Sequence, residues 1–131
     1  MSNYTLEDAQ EYFKKDRFAT DAGVKLVALS EEESEAEMVL TDAHKNAYGG
    51  VMGGAIFTLA DFAFATLTNN NHKLTVAQQV SINYLSAPKG DKLSATAHFV
   101  KDGKSTCVVE VMVKDNTGRE VALFTGVGFK L

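Results

Sequence analysis

The sequence predicts an α+β domain in which an antiparallel β-sheet wraps round one central buried helix, with a short helix in front. Three observations carry that expectation. The stretch MGGAIFTLADFAFATLTNNN, Met52 to Asn71, is built of good helix formers and is apolar on nearly every face. A helix of that kind is buried on all sides rather than laid on a surface. From Leu74 onward the chain reads as strands rich in Val, Thr, Tyr and Phe, divided by turn residues. Ahead of the helix, apolar and polar residues alternate on both sides of an acidic turn, as in a hairpin. A sheet folded round the helix is the simplest way to bury both.

The elements follow in order. Thr5, with Asp8 three residues on, resembles an N-cap with an acidic first turn, so a helix is expected from Leu6 to Lys15. Val24 and Leu26, then Ala36, Met38 and Leu40, alternate across Ser30-Glu31-Glu32-Glu33 and give a hairpin from Gly23 to Leu40. That acidic run reads as a solvated turn. A loop, Thr41 to Val51, leads into the central helix, which the Asn run closes. Strands are expected near Leu74–Leu85, Leu93–Lys101, Ser105–Lys114 and Val121–Phe129, as an antiparallel meander. Their separators, Ala87 to Asp91, Asp102 to Lys104 and Asp115 to Gly118, hold the residues that turns require. No repeat or linker divides the chain, so residues 1–131 are read as one domain.

Bulk properties narrow the function. With 45% hydrophobic and 23% charged residues, the balance is that of a soluble domain with one substantial core. A formal net charge of -4 gives no basic footprint for nucleic acid. Val51 to Leu67, the most apolar stretch, is shorter than the ~20 residues a membrane span needs and contains Asp61. The N-terminus is polar and acidic, unlike a signal peptide, and the single Cys107 allows no internal disulfide. A cytoplasmic protein with no membrane association is expected. Cys107 itself reads as a small buried hydrophobe. His44, His72 and His98 lack metal-site spacing, so no metal is expected.

Two features of the central helix carry chemistry. Asp61 is the only charged residue between Val51 and Leu67. A carboxylate among apolar neighbours needs a partner, water or a task. Gly53-Gly54, at the helix start, leaves the N–H groups of the first turn uncovered at the positive end of the helix dipole. Such donors polarise a carbonyl and stabilise an oxyanion. Asp61 follows Gly53 by eight positions, which is ~12 Å along one helix at 1.5 Å per residue. Reacting atoms must lie within about 3.5 Å, so a joint reaction needs two antiparallel copies of the helix. The catalytic reading therefore demands a dimer.

The chain also resembles the PaaI-type branch of the hotdog-fold acyl-CoA thioesterases. That family's pattern is H-x-N-x-x-G-x-x-H-G-G, with Asp seven residues later. Here it reads His44-Lys45-Asn46-Ala47-Tyr48-Gly49-Gly50-Val51-Met52-Gly53-Gly54, then Asp61. The segments IFTLADFAFA, SINYLSAPKGDKLSATAHFVKDGKST and VALFTGVG match as well, and the likeness covers roughly Gly23 to Leu131. It implies a hotdog fold and hydrolysis of a medium-chain or aromatic, phenylacetyl-type acyl-CoA. Asp61 would be the catalytic carboxylate, as general base or nucleophile. The Gly53 N–H of the partner subunit would polarise the thioester carbonyl. Asn46 would position the substrate or water, and Thr68 and Asn69 would complete the pocket, with His44, Met52 and Gly54 beside the substrate. The family favours a homodimer or a dimer of dimers. No cofactor is implied, CoA being part of the substrate.

For the nucleotide end, Lys89, Lys92, Lys101 and Lys104 near the strand turns, with Ser105 and Thr106, could hold phosphate. Met52 stands where the family has His, and methionine neither donates a ring N–H nor shuttles a proton. That departure motivates a rival, a non-catalytic acyl-CoA or acyl-carrier binding module. A hotdog dehydratase ranks last, since it would want a His at that position.

Overall fold

In the computed structural model, which describes residues 5–131, ten elements follow one another. They are α1 (Leu6–Phe13), α2 (Arg17–Asp21), β1 (Val24–Leu29), β2 (Glu33–Val39), a single 3-10 turn (Asp42–His44), α3 (Gly53–Asn71), β3 (Thr75–Tyr84), β4 (Lys92–Asp102), β5 (Thr106–Asp115) and β6 (Glu120–Lys130). The expected N-cap is present, with the Thr5 hydroxyl accepting from the Asp8 N–H at 3.1 Å. The first helix stops two residues earlier than expected, and α2 after it was not foreseen. No described helix is long and apolar enough to cross a membrane.

Six strands form one antiparallel sheet in the order β1-β2-β4-β5-β6-β3, curved round α3. This is the hotdog architecture. The strand positions follow the sequence pattern, but the order departs from a simple meander. β3 lies at the far edge against β6, and β4 pairs with β2 instead. The cause is the link from Leu85 to Asp91, too long for a tight hairpin. At up to ~3.5 Å per residue it easily spans the ~14 Å across three strand spacings.

Alternation sets the core. Leu93, Ala95 and Ala97 of β4, Val109, Val111 and Val113 of β5, and Ala122 and Phe124 of β6 are fully buried beneath Phe62, Phe64 and Leu67 of α3. Burying each large aliphatic or aromatic side chain contributes roughly 1.5–3 kcal/mol. The Phe64 and Phe124 rings meet at 5.9 Å. Glycine in β6 makes room for that packing, because a Cβ on Gly126 would lie 2.8 Å from Phe64. Cys107 is buried in the same layer, as expected.

α3 is not buried on every side within one chain. Gly54, Phe57, Thr58, Asp61, Ala65 and Asn69 recur at helical spacing and stay half-exposed or exposed. One stripe of the central helix is left uncovered.

Candidate active site

The two ends of α3 are built differently. At its start, the Met52 side chain supplies no cap, and the Met52 carbonyl accepts from the Ala55 and Ile56 N–H groups at 3.0 and 3.3 Å. Among the described residues the Gly53 and Gly54 N–H groups have no acceptor. They are free donors at the positive end of a 19-residue helix.

The loop before them is folded on Asn46. Its Oδ1 accepts from the Tyr48 and Gly50 N–H groups at 3.0 and 3.1 Å. Its backbone N–H donates to the Gly50 carbonyl at 2.7 Å, and Gly49 takes a positive φ of 82° that L side chains rarely adopt. Spending Oδ1 on the loop fixes the amide so that Nδ2 has no acceptor among the described residues. Asn46, Gly53, Ile56, Tyr84, Leu85 and Pro88 line a groove of about 480 Å³.

The groove's far wall is the β3–β4 link, and Asp115 holds it there. The buried Asp115 carboxylate accepts from the Lys89 and Gly90 N–H groups at 2.7 and 3.0 Å, and from the Thr117 hydroxyl and N–H and the Arg119 N–H. The Thr117 hydroxyl, with those N–H groups, holds this carboxyl well below the usual range against the opposing effect of burial.

Asp61 does not line that groove. It sits half-buried on the open stripe, two turns along, and accepts no hydrogen bond from any described residue. Burial raises its carboxyl above the ordinary 3.8, and the nearby charge of Asp16 raises it further. Asp16 stands just before α2, at the corner that Phe13 docks on α3, the Phe13 ring 6.3 Å from that of Phe62. Asp16 was invisible to sequence reasoning, because only the packing of the α1–α2 corner brings it near Asp61. Tyr84 was missed too; it reads as an ordinary strand residue, yet its hydroxyl donates to the Gly53 carbonyl at 3.0 Å.

Several expected substrate contacts are occupied within the chain. His44 is only 7% exposed; its Nδ1 accepts from the Thr41 N–H at 3.0 Å, and its Nε2 lies 2.6 Å from the Ala22 carbonyl. Those two contacts tie the ring to the loop and to the end of α2. Thr68 is buried and turns its hydroxyl to the Ala65 carbonyl. Asn69 clamps Thr75, donating to its carbonyl at 3.1 Å and accepting from its N–H at 2.9 Å. These two close the helix end instead of lining the groove. Met52, 54% exposed, leans over Gly54.

The expected phosphate-binding set is split. Lys89 follows Pro88 of the groove wall, and Lys92, at the start of β4, is paired with Glu37 of β2 at 3.4 Å. Lys101, Lys104, Ser105 and Thr106 lie at the other end of β4, ~33 Å away at about 3.3 Å per strand residue. Within one chain they cannot serve one ligand as a group.

Comparison with known proteins fits this geometry. The Thioesterase superfamily model matches residues 48–122. A putative esterase of Archaeoglobus fulgidus is 34% identical over 128 residues, 96% of this chain and 83% of the esterase. The acyl-coenzyme A thioesterase PaaI of Escherichia coli is 31% identical over 127 residues, 96% of this chain and 91% of PaaI. The solved E. coli PaaI structure superposes with a TM-score of 0.89, covering 95% of this chain and 91% of that one at 28% identity. A Streptococcus pneumoniae hypothetical thioesterase solved with coenzyme A gives a TM-score of 0.82 at 28% identity, covering 89% of this chain and 94% of that one. This chain belongs to the thioesterase superfamily, with the hotdog fold of the PaaI type. It is a thioester hydrolase.

Proposed function

We propose that the enzyme hydrolyses acyl-CoA thioesters, with a medium-chain or arylacetyl acyl group, at sites each shared by two chains. The observation that carries this reading is the division of labour along α3. Free N–H donors stand at its first turn beside a groove, and an unpartnered carboxylate stands two turns away on an uncovered stripe. Relatives of this chain from E. coli and mouse are named acyl-coenzyme A thioesterases, and a structural relative was solved with coenzyme A.

A second copy completes the site. β3 ends the sheet, so one of its edges has no partner strand in the chain, and Val76 and Tyr84 along it are exposed. Pairing two such edges about a two-fold axis joins the sheets and lays the two α3 helices antiparallel. Gly53 and Gly54 of one chain then face the partner's Asp61. The same axis carries the partner's Lys104 and Ser105 toward Lys89, where together they would hold the CoA phosphates. The half-exposed convex row of Met112, Leu123 and Val127 offers an apolar face for joining two dimers.

In the reaction, the thioester carbonyl accepts from the free Gly53 and Gly54 N–H groups while Asn46 Nδ2 orients the substrate or water. The partner's Asp61 takes a proton from water as its oxygen bonds the carbonyl carbon. The tetrahedral oxyanion collapses, the carbon–sulfur bond breaks, and the CoA thiolate recovers the proton from Asp61. No step calls on a ring at position 52, so Met52 leaves the scheme intact. CoA is part of the substrate, and no resident cofactor enters.

The test is free-thiol release from a panel of aromatic and straight-chain acyl-CoAs, with Asp61→Asn beside the wild type. Asp61→Asn is expected to lose about 10³-fold in kcat. It should melt no lower than the wild type, because it removes an unpaired half-buried charge. Full activity in the variant would refute the role of Asp61. Silence of the wild type on every substrate, with ligand-dependent stabilisation, would favour the binding-module reading.

A further inference from the structure

Tyr84 closes β3 at the mouth of the groove, and two contacts tie it to the first turn of α3. Its hydroxyl donates to the Gly53 carbonyl at 3.0 Å. Its ring covers the Gly53 Cα, where an added Cβ would lie 3.1 Å from the ring Cζ and 3.2 Å from the hydroxyl oxygen. Among the described residues no other side chain from outside the helix bonds to that turn, and the cap residue Met52 offers none.

The Gly53 carbonyl and the Gly54 N–H are the two ends of one planar peptide. As part of the first helical turn, the Gly53 carbonyl also has the helix's own i+4 N–H as a donor, so the Tyr84 hydroxyl is a second donor from outside the helix. A second donor holds the peptide from its outer side and draws further electron density from the amide, so that the N–H becomes a stronger donor.

We propose that Tyr84 is a positioning residue of the active site, its hydroxyl orienting and polarising the Gly53–Gly54 peptide so that the Gly54 N–H binds the oxyanion beside that of Gly53. This inference rests on the reading that the first turn of α3 holds the thioester carbonyl. Tyr84 touches no reacting atom; it acts through the peptide it grips. It also gives Gly53 a second reason to be glycine, since any side chain there would press on the ring.

Tyr84→Phe keeps the ring and removes only the hydroxyl. Its kcat on one thioester is expected to fall about tenfold with KM within about twofold. The second readout needs no turnover. A ketone analogue of the acyl-CoA, with methylene in place of the thioester sulfur, should show its bound carbonyl stretch at higher frequency in Tyr84→Phe than in the wild type. A kcat within twofold of wild type together with an unshifted band overturns the inference. So does a loss in which KM rises and the melting temperature falls while kcat holds, since that marks a scaffold role. Asp61→Asn run in parallel separates the two failures. If Asp61→Asn keeps full turnover, the reading of the site itself has failed. If it is dead while Tyr84→Phe is silent in both readouts, only the role of Tyr84 is lost.

Discussion

The two ends of α3 are made of different residues and are put to opposite uses. At the C-terminal end, Asn69 bonds the Ala65 carbonyl and both backbone groups of Thr75, Asn70 reaches the Ser30 carbonyl, and Asn71 reaches those of Glu31 and Leu67. At the N-terminal end two glycines leave their N–H groups unclaimed, and the cap residue is a methionine. One end is closed with amides, and the other is held open by residues that cannot close it. An uncapped helix start forgoes about 1 kcal/mol of the stability an N-cap side chain supplies. The open donors are what a developing oxyanion requires.

Substitutions at each end sharpen the contrast. Of the substitutions at the two ends, the larger effect on turnover is expected from Gly53→Pro. Proline is well suited to the first helical position, and Met52 before it already has the extended conformation proline demands, with φ -65° and ψ 134°. The helix should survive by circular dichroism, with the Tyr84 ring shifting by a few tenths of an ångström. The donor is gone, and kcat should fall about 10²-fold. At the other end Asn69→Ala removes the bonds to Ala65, Thr68 and Thr75 and should cost roughly 1–3 kcal/mol of stability in denaturant titration. Its kcat should stay near that of the wild type. A large kcat loss in Asn69→Ala with little loss of stability would reverse the assignment of the two ends.

The smallest effect concerns pH. Asp61 must be ionised to act as a base, and burial followed by the Asp16 charge raises its pKa above 3.8. The acid limb of kcat/KM should therefore lie above the ordinary carboxylate range. Asp16→Asn removes the second of those causes and should move the limb to lower pH, leaving the plateau rate near that of the wild type. An unmoved limb would show that Asp16 does not act on Asp61.

Local pattern revealed most of the fold. Alternation marked β1 to β6, and the lone charge in an apolar helix marked Asp61. The features that stayed hidden depend on contacts between distant segments. β3 reads the same whether its neighbour is β4 or β6, so its place at the sheet edge was hidden. Tyr84 and Asp16 gain meaning only from what lies against them. The hydrogen bonds that His44, Thr68 and Asn69 make within the chain were equally hidden, because their partners lie on the folded loop and helix end.

The central claim is that each site takes its donors from one chain and its carboxylate from another. Asp61→Asn and Gly53→Pro, each reduced at least about 10²-fold alone, can be dissociated, mixed in equal amounts and reassembled. Half of the random dimers are then mixed, and each mixed dimer carries one site with both residues intact. Thiol release is expected to return to about a quarter of the wild-type rate if the two sites act independently. Reassembled mixed dimers that remain as inactive as the two parents would contradict the shared site.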